Sequence, residues 1–160
     1  MRHLARMALL ATLMAAMPAM AKADLIGLVL GGTVVRIDEA TGATRIIGNS
    51  GLSFQDSLAR DSAGTLYTRQ LDGLYTIDSL TGAATLVTRL TGPITGLSGL
   101  AFSPAGVLYG STLTDLITIN LGTGVATRVG GFTNVRPIEG LTFSPEGVLY
   151  GVTRLPEIQG

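Results

Sequence analysis

Apolar residues in this chain come in short bursts, not in helical runs. Leu74, Tyr75 and Ile77 form one burst and Leu86 and Val87 the next; Leu100 with Phe102, then Val107, Leu108 and Tyr109, complete the set. Between them stand Asp-x-x-Thr-Gly, a glycine-rich span and Ser-Pro-x-Gly. Each of these groups sets a turn: glycine tolerates positive φ, proline presets φ, and Asp or Ser side chains bond nearby backbone N–H groups. After the first 23 residues no stretch of ten keeps the 3.6-residue period of an amphipathic helix. The pattern predicts short strands joined by tight turns.

The bursts repeat. GLAFSPAGVLYG at 99–110 returns as GLTFSPEGVLYG at 140–151, about 41 positions later. GLYTIDSLTGAATLV (73–87) aligns with DLITINLGTGVATRV (115–129) and with TVVRIDEATGATRII (33–47). A fixed period near 40 residues, filled by four short strands, is the signature of a propeller blade. Within a blade, GLAFSP is expected innermost, VLYGST second, LITIN third and ATRVG outermost, with Asp38, Asp78 and Asn120 capping the hairpin between the last two. Phe102, Leu108, Phe143 and Leu149 are expected to be buried, and the periodic Tyr67, Tyr75, Tyr109 and Tyr150 to serve packing.

The expected fold is therefore all-β: a partial β-propeller of about three four-stranded antiparallel blades over residues 24–160, preceded by an N-terminal signal helix at 1–23. Residues 24–30 supply a second strand and 33–47 the third and fourth. Two full blades follow, and the last has only its first two strands. Closed propellers have four to eight blades. An incomplete ring exposes blade faces and strand edges, so the chain is expected either to be a piece of a longer propeller, the favoured reading, or to self-associate through its open edges.

The segment LYTIDSLTGAATLV, followed by GLAFSPAGVLYG, resembles the repeat of secreted bacterial β-propeller proteins, many of them domains of unknown function. It is more distantly similar to quinoprotein-like propellers. The resemblance spans nearly all of residues 25–154 and implies the blade; it implies no activity, since propellers host many. The tryptophan and Asp-His marks of WD40 blades are absent, and no quinone-binding residues can be matched.

Composition narrows the chemistry. Arg2, His3 and Arg6, the apolar MALLATLMAAMPAM and the small residues of Ala21-Lys22-Ala23 form a secretory signal with cleavage before Asp24. The apolar run is too short, and too interrupted by Pro18, for a stable membrane span. The only His and Lys lie in that leader, and the chain has no Cys or Trp. The exported part carries eight Arg against eleven Asp and Glu, a net charge near −3. Histidine bases, Cys or Lys nucleophiles and the common zinc ligands are thereby excluded, nucleic acid is disfavoured, and no Asp-x-Asp-x-Asp-Gly calcium loop is present. No cofactor or metal is implied, and disulfides are not available.

Candidate binding residues follow from departures from the repeat. Arg60 replaces Phe102 and Phe143, and Asp61 replaces Ser103 and Ser144, with Asp56 just upstream. This set suggests an arginine aimed at an anion or sugar by a carboxylate, or a plain surface ion pair. Arg69 and Asp72 share one end of the blade with Asp115, and Arg136 with Glu139 repeats a charged pair ahead of an inner strand. These residues point to an exported module binding an unknown protein or carbohydrate ligand at converging loops. The alternatives are a hydrolase or lyase using paired carboxylates and a structural spacer of a cell-surface protein.

Overall fold

A computed structural model describes residues 25–53, 57–133 and 137–153. The expected signal helix, Asp56 and Arg136 lie outside the described residues. Thirteen strands run in chain order: β1 (Leu25–Val29), β2 (Thr33–Ile37), β3 (Thr44–Asn49), β4 (Leu58–Arg60), β5 (Leu66–Gln70), β6 (Gly73–Ile77), β7 (Ala84–Arg89), β8 (Gly99–Phe102), β9 (Leu108–Ser111), β10 (Asp115–Ile119), β11 (Ala126–Gly131), β12 (Ile138–Phe143) and β13 (Leu149–Thr153). No helix occurs among the described residues.

All pairings between strands are antiparallel, and they build four sheets in chain order: β1-β2-β3, β4-β5-β6-β7, β8-β9-β10-β11 and β12-β13. The two middle sheets are complete four-stranded blades. Among the described residues the first has no innermost strand, and the fourth has no third or fourth strand. Inner strand β8 packs against both β4 and β12, so the first strand of the second, third and fourth sheets lies nearest the common axis, as the repeat predicts.

The turns explain why one sequence pattern folds three times over. In Asp78-Ser79-Leu80-Thr81-Gly82 the carboxylate Oδ1 accepts from the Leu80 and Thr81 N–H groups, both at 2.8 Å. The Gly82 N–H returns to the Asp78 carbonyl, also at 2.8 Å. Asp38 and Asn120 do the same in their own turns. Gly42, Gly82 and Gly124 all take positive φ there, a backbone state open to glycine at no steric cost. Each of these hairpins also carries a bulge at one equivalent site, after Val34, Leu74 and Leu116.

Leu58, Leu66, Ile77 and Ala84 of the second sheet pack on Ile26, Leu28, Val34 and Ile47 of the first. On its other face, Ala59, Tyr67 and Leu74 meet Leu100, Phe102, Leu108, Ile117 and Ile119 of the third. Every junction thus joins the trailing face of one sheet to the leading face of the next. At two junctions an aromatic pair closes the contact near the axis: Tyr67 on Phe102 at 5.1 Å between ring centres, and Tyr109 on Phe143 at 5.3 Å, a tilted geometry favourable to ring quadrupoles.

The expected burial is met in part. Leu108 is buried, whereas Phe102, Phe143 and Leu149 are half-buried. Phe143 and Leu149 line the last sheet, which has no outer strands among the described residues. Tyr150 departs most: no described sheet follows to cover it, and it is 56% exposed.

Candidate functional site

Strand direction decides which residues can meet. Inner strands β4, β8 and β12 start at one end, where residues 50–53, 57, 90–98, 132–133 and 137 of the inter-sheet connections lie, together with the turns 30–32, 71–72 and 112–114 between second and third strands. Among the described residues, the opposite end carries the capped turns described above and the turns 61–65, 103–107 and 144–148. The first may be called the loop end.

Arg60 and Asp61 close β4 and so lie at the far end from Arg69, Asp72, Asp115 and Glu139. The predicted residues therefore do not form one site. Asp61 accepts the Thr65 N–H at 2.8 Å, the role that the Ser103 and Ser144 hydroxyls fill for Val107 and Val148. It also accepts the Tyr67 hydroxyl, and burial together with that carboxylate raises the Tyr67 pKa above the usual phenol value. Asp61 is a turn residue. Arg60 is exposed and folds its guanidinium over Gly64, where an added Cβ would stand 3.0 Å from Nη2. Its exchange for phenylalanine has a structural reason: it points toward the first sheet, which offers Ile26 where later sheets offer Tyr67 and Tyr109.

At the loop end, two candidate carboxylates are held by arginines of the outermost strands. Asp72 pairs with Arg89 and Asp115 with Arg128, both at 2.5 Å. The Arg128 hydrogen bond, with that of Thr114, holds the Asp115 carboxyl below the usual carboxylate range. Asp78 and Glu146 are also depressed, by the turn N–H groups of Thr81 and Leu80 and by the Ser144 hydroxyl. Carboxyls with lowered folded values contribute stability above their unfolded pKa of about 4, and lose it as pH falls through the depressed folded value. Thermal melts should therefore hold from pH 7 to about 5 and weaken below about 4. Asp78→Asn, which copies Asn120, should keep the neutral-pH midpoint and flatten the acid limb; an unchanged acid limb would refute the assignment.

Glu139 is placed differently. With Ser57, Leu58, Gly99, Leu100, Gly140 and Leu141 it lines a cleft of about 110 Å³ among the three inner strands. The Ser57 hydroxyl is buried there with no hydrogen-bond partner among the described residues. Ser98 and Ser111 both donate to the Ile138 carbonyl, at 3.0 and 2.7 Å, and so fix the strand that carries Glu139. Glu139 is the carboxylate in this cleft among the described residues. Among them, too, no cluster of three or more acidic or metal-ligating side chains forms.

The loop end has a second feature that the sequence reading missed. Each turn between second and third strands carries an exposed leucine: Leu30 at 82%, Leu71 at 74% and Leu113 at 52%. Leu71 is held at φ 55°, an uncommon state for a branched, bulky residue. Arg69 joins this turn: its Nη1 donates to the Leu71 carbonyl at 2.9 Å. Leu113 lies over Gly96 of the inter-sheet connection, where no side chain would fit beneath it. The signal was available, since a leucine recurs at 41- and 42-residue spacing where turn chemistry favours Gly, Asn or Asp.

No protein-family model matches the chain, and no curated protein does. Solved structures do. A symmetrical protein studied for its de novo evolutionary emergence is 24% identical with a TM-score of 0.56, covering 81% of this chain and 62% of its own. A gluconolactonase from Xanthomonas campestris is 17% identical at 0.55, covering 75% and 41%. Virginiamycin B lyase from Staphylococcus aureus is 13% identical at 0.51, covering 88% and 59%. The fold is that of a partial β-propeller. At these identities the likeness concerns the fold alone, and the chain spans roughly two fifths to three fifths of the solved chains it matches.

Proposed function

We propose that this chain is an exported propeller module, a segment of a ring larger than its own four sheets, that binds a protein through its loop end. The observation that carries the reading is the row of Leu30, Leu71 and Leu113. Exposed apolar side chains repeated on one end of a rigid frame, one of them in a strained backbone state, fit a contact surface. Leucine tips suit an apolar protein surface better than a carbohydrate, which calls for aromatic faces and dense hydrogen bonding. The acidic exported part fits a partner with basic residues around an apolar centre. A neighbour at 20% identity and a TM-score of 0.53 comes from a nidogen–laminin complex, so a propeller of this kind is found in a protein assembly.

The alternative, carboxylate-based hydrolysis or lysis, draws on the gluconolactonase and lyase neighbours and on Glu139 in the axial cleft. Two-carboxylate chemistry needs a second acid nearby, and Asp72 and Asp115 are engaged with arginines on the outer strands. A spacer role leaves the leucine row without a purpose. The test is affinity capture from extracellular and periplasmic extracts, with wild type compared with Leu71→Asp/Leu113→Asp. A partner held by wild type and weakened at least tenfold by the pair, with the β-sheet spectrum intact, is expected. Capture indifferent to both substitutions, or turnover of a lactone or glycan panel abolished by Glu139→Gln, would overturn the reading.

A further inference from the structure

The first and fourth sheets are incomplete in complementary ways. β1, β2 and β3 hold the second, third and fourth places, and no described strand pairs with the inner edge of β1. β12 and β13 hold the first and second places, and no third or fourth strand of that sheet is among the described residues. The outer half of the third sheet is consequently uncovered on its trailing face, where Thr127 and Val129 are exposed. A groove of about 560 Å³ opens beside it, bordered by Thr118, Asn120 and Thr127. The leading face of the first sheet shows Leu25 and, 69% exposed, Ile46. That face has the same side-chain parity as the faces that cover the second and third sheets: Leu25 stands where Leu66 and Leu108 stand, and Ile37 where Ile77 and Ile119 stand.

We propose that two copies of this chain close into one ring, β12 of each taking the vacant inner place beside β1 of the other. The inference rests on the reading of the chain as part of a larger ring, and it supplies the rest of that ring. The register follows from the third sheet, where Phe102 faces Leu108 and Leu100 faces Gly110. Phe143 then faces Leu25 of the second copy, Thr142 faces Ile26 and Leu141 faces Gly27. β2 and β3 of the second copy lie over the groove and bring Ile37 and Ile46 onto Thr118 and Thr127. None of these positions carries a charge. β13 gives up its place and its five-position ladder with β12, which the five-residue β1 of the second copy replaces; apart from half-buried Leu149 its residues are exposed, so its release forfeits little apolar burial. The exchange leaves each copy two complete sheets and makes two shared four-stranded ones, six in all, inside the four-to-eight range of closed propellers. A head-to-tail contact of this kind closes instead of growing into a filament, and the unpaired edge of β1 gains a strand by augmentation.

The chain has no cysteine, so engineered pairs report cleanly. Cross-strand Cα separations of about 4.5–5.5 Å match disulfide geometry. Sedimentation of the purified chain should show a dimer. Ile26→Cys/Thr142→Cys should then give an intermolecular, reductant-sensitive cross-link in most molecules. Should that variant fail to fold, Ile46→Glu decides in its place: the side chain is exposed in a single copy, so folding is kept, and the dimer dissociation constant should rise at least tenfold. A monomer across the concentration range, a dimer in which positions 26 and 142 do not cross-link, or indifference to Ile46→Glu overturns the proposal. A monomer that still captures its protein partner would do so while leaving the interaction reading intact.

Discussion

Leu108→Ala should lower the unfolding free energy by about 3–4 kcal/mol, among the largest effects of a conservative truncation in this fold. Leu108 is 1% exposed and sits at the centre of the contact between the second and third sheets, with Leu74, Leu97, Leu100, Ile117 and Ile119 around it. Truncation removes buried methyl groups and leaves a cavity that two rigid sheets cannot close. The repeat supplies internal controls. Leu66 holds the equivalent place in the second sheet and is 6% exposed, Leu149 is half-buried in the fourth, and Leu25 lies open on the first. The cost of alanine should fall in the order Leu108, Leu66, Leu149, Leu25, ending below about 1 kcal/mol. Urea titrations with a common slope measure the series. Equal losses at Leu108 and Leu25 would mean that the sheets are not stacked as described. If two copies close the ring, the Leu25 penalty should instead grow with protein concentration, because its burial then depends on the second copy.

The strands, their order within a sheet and the caps at Asp38, Asp78 and Asn120 could all be read from the sequence, because each depends on neighbours a few residues away and recurs with the period. What depends on the next sheet could not. Phe102 and Phe143 look alike in sequence, yet one lies between two complete sheets and the other on a two-stranded hairpin. Arg60 looked like a departure with chemical purpose. It faces Ile26 rather than a tyrosine, and that is known only once the first and second sheets are stacked. The ion pairs at the loop end were not legible for a related reason: Asp72 reaches Arg89 across 17 residues of chain, a distance that turn chemistry does not report. Glu139, read as preceding an inner strand, lies within β12, and the cleft it lines exists only once three inner strands are stacked. Leu30, Leu71 and Leu113 went unread because exposed leucines look like strand residues until the strands are seen to end before them.

Gly124→Ala should destabilise the fold by about 2–5 kcal/mol, far more than a single methyl group suggests. Two penalties coincide at this residue. Its φ is +72°, which a residue with a Cβ adopts only under strain, and an added Cβ would lie 2.0 Å from the Arg89 carbonyl oxygen. That oxygen belongs to the outer strand of the preceding sheet. The contact is close because the chains are bonded there: the Thr91 N–H donates to the Gly124 carbonyl and the Ala126 N–H to the Thr91 carbonyl, each at 2.9 Å. The Thr-Gly turn is thus a rivet between neighbouring sheets as well as the end of a hairpin. Gly82 makes the equivalent approach to Gly48 of the first sheet. Gly42 separates the two penalties. Its φ is +69° with nothing within 4 Å of an added Cβ, so Gly42→Ala bears the backbone strain alone and should cost about 1 kcal/mol. The difference between the two variants measures the rivet. Should Gly42→Ala and Gly124→Ala prove equally costly in denaturant titrations, the turns would contribute only to their own hairpins, and the outer edges of the sheets would be held by side-chain packing.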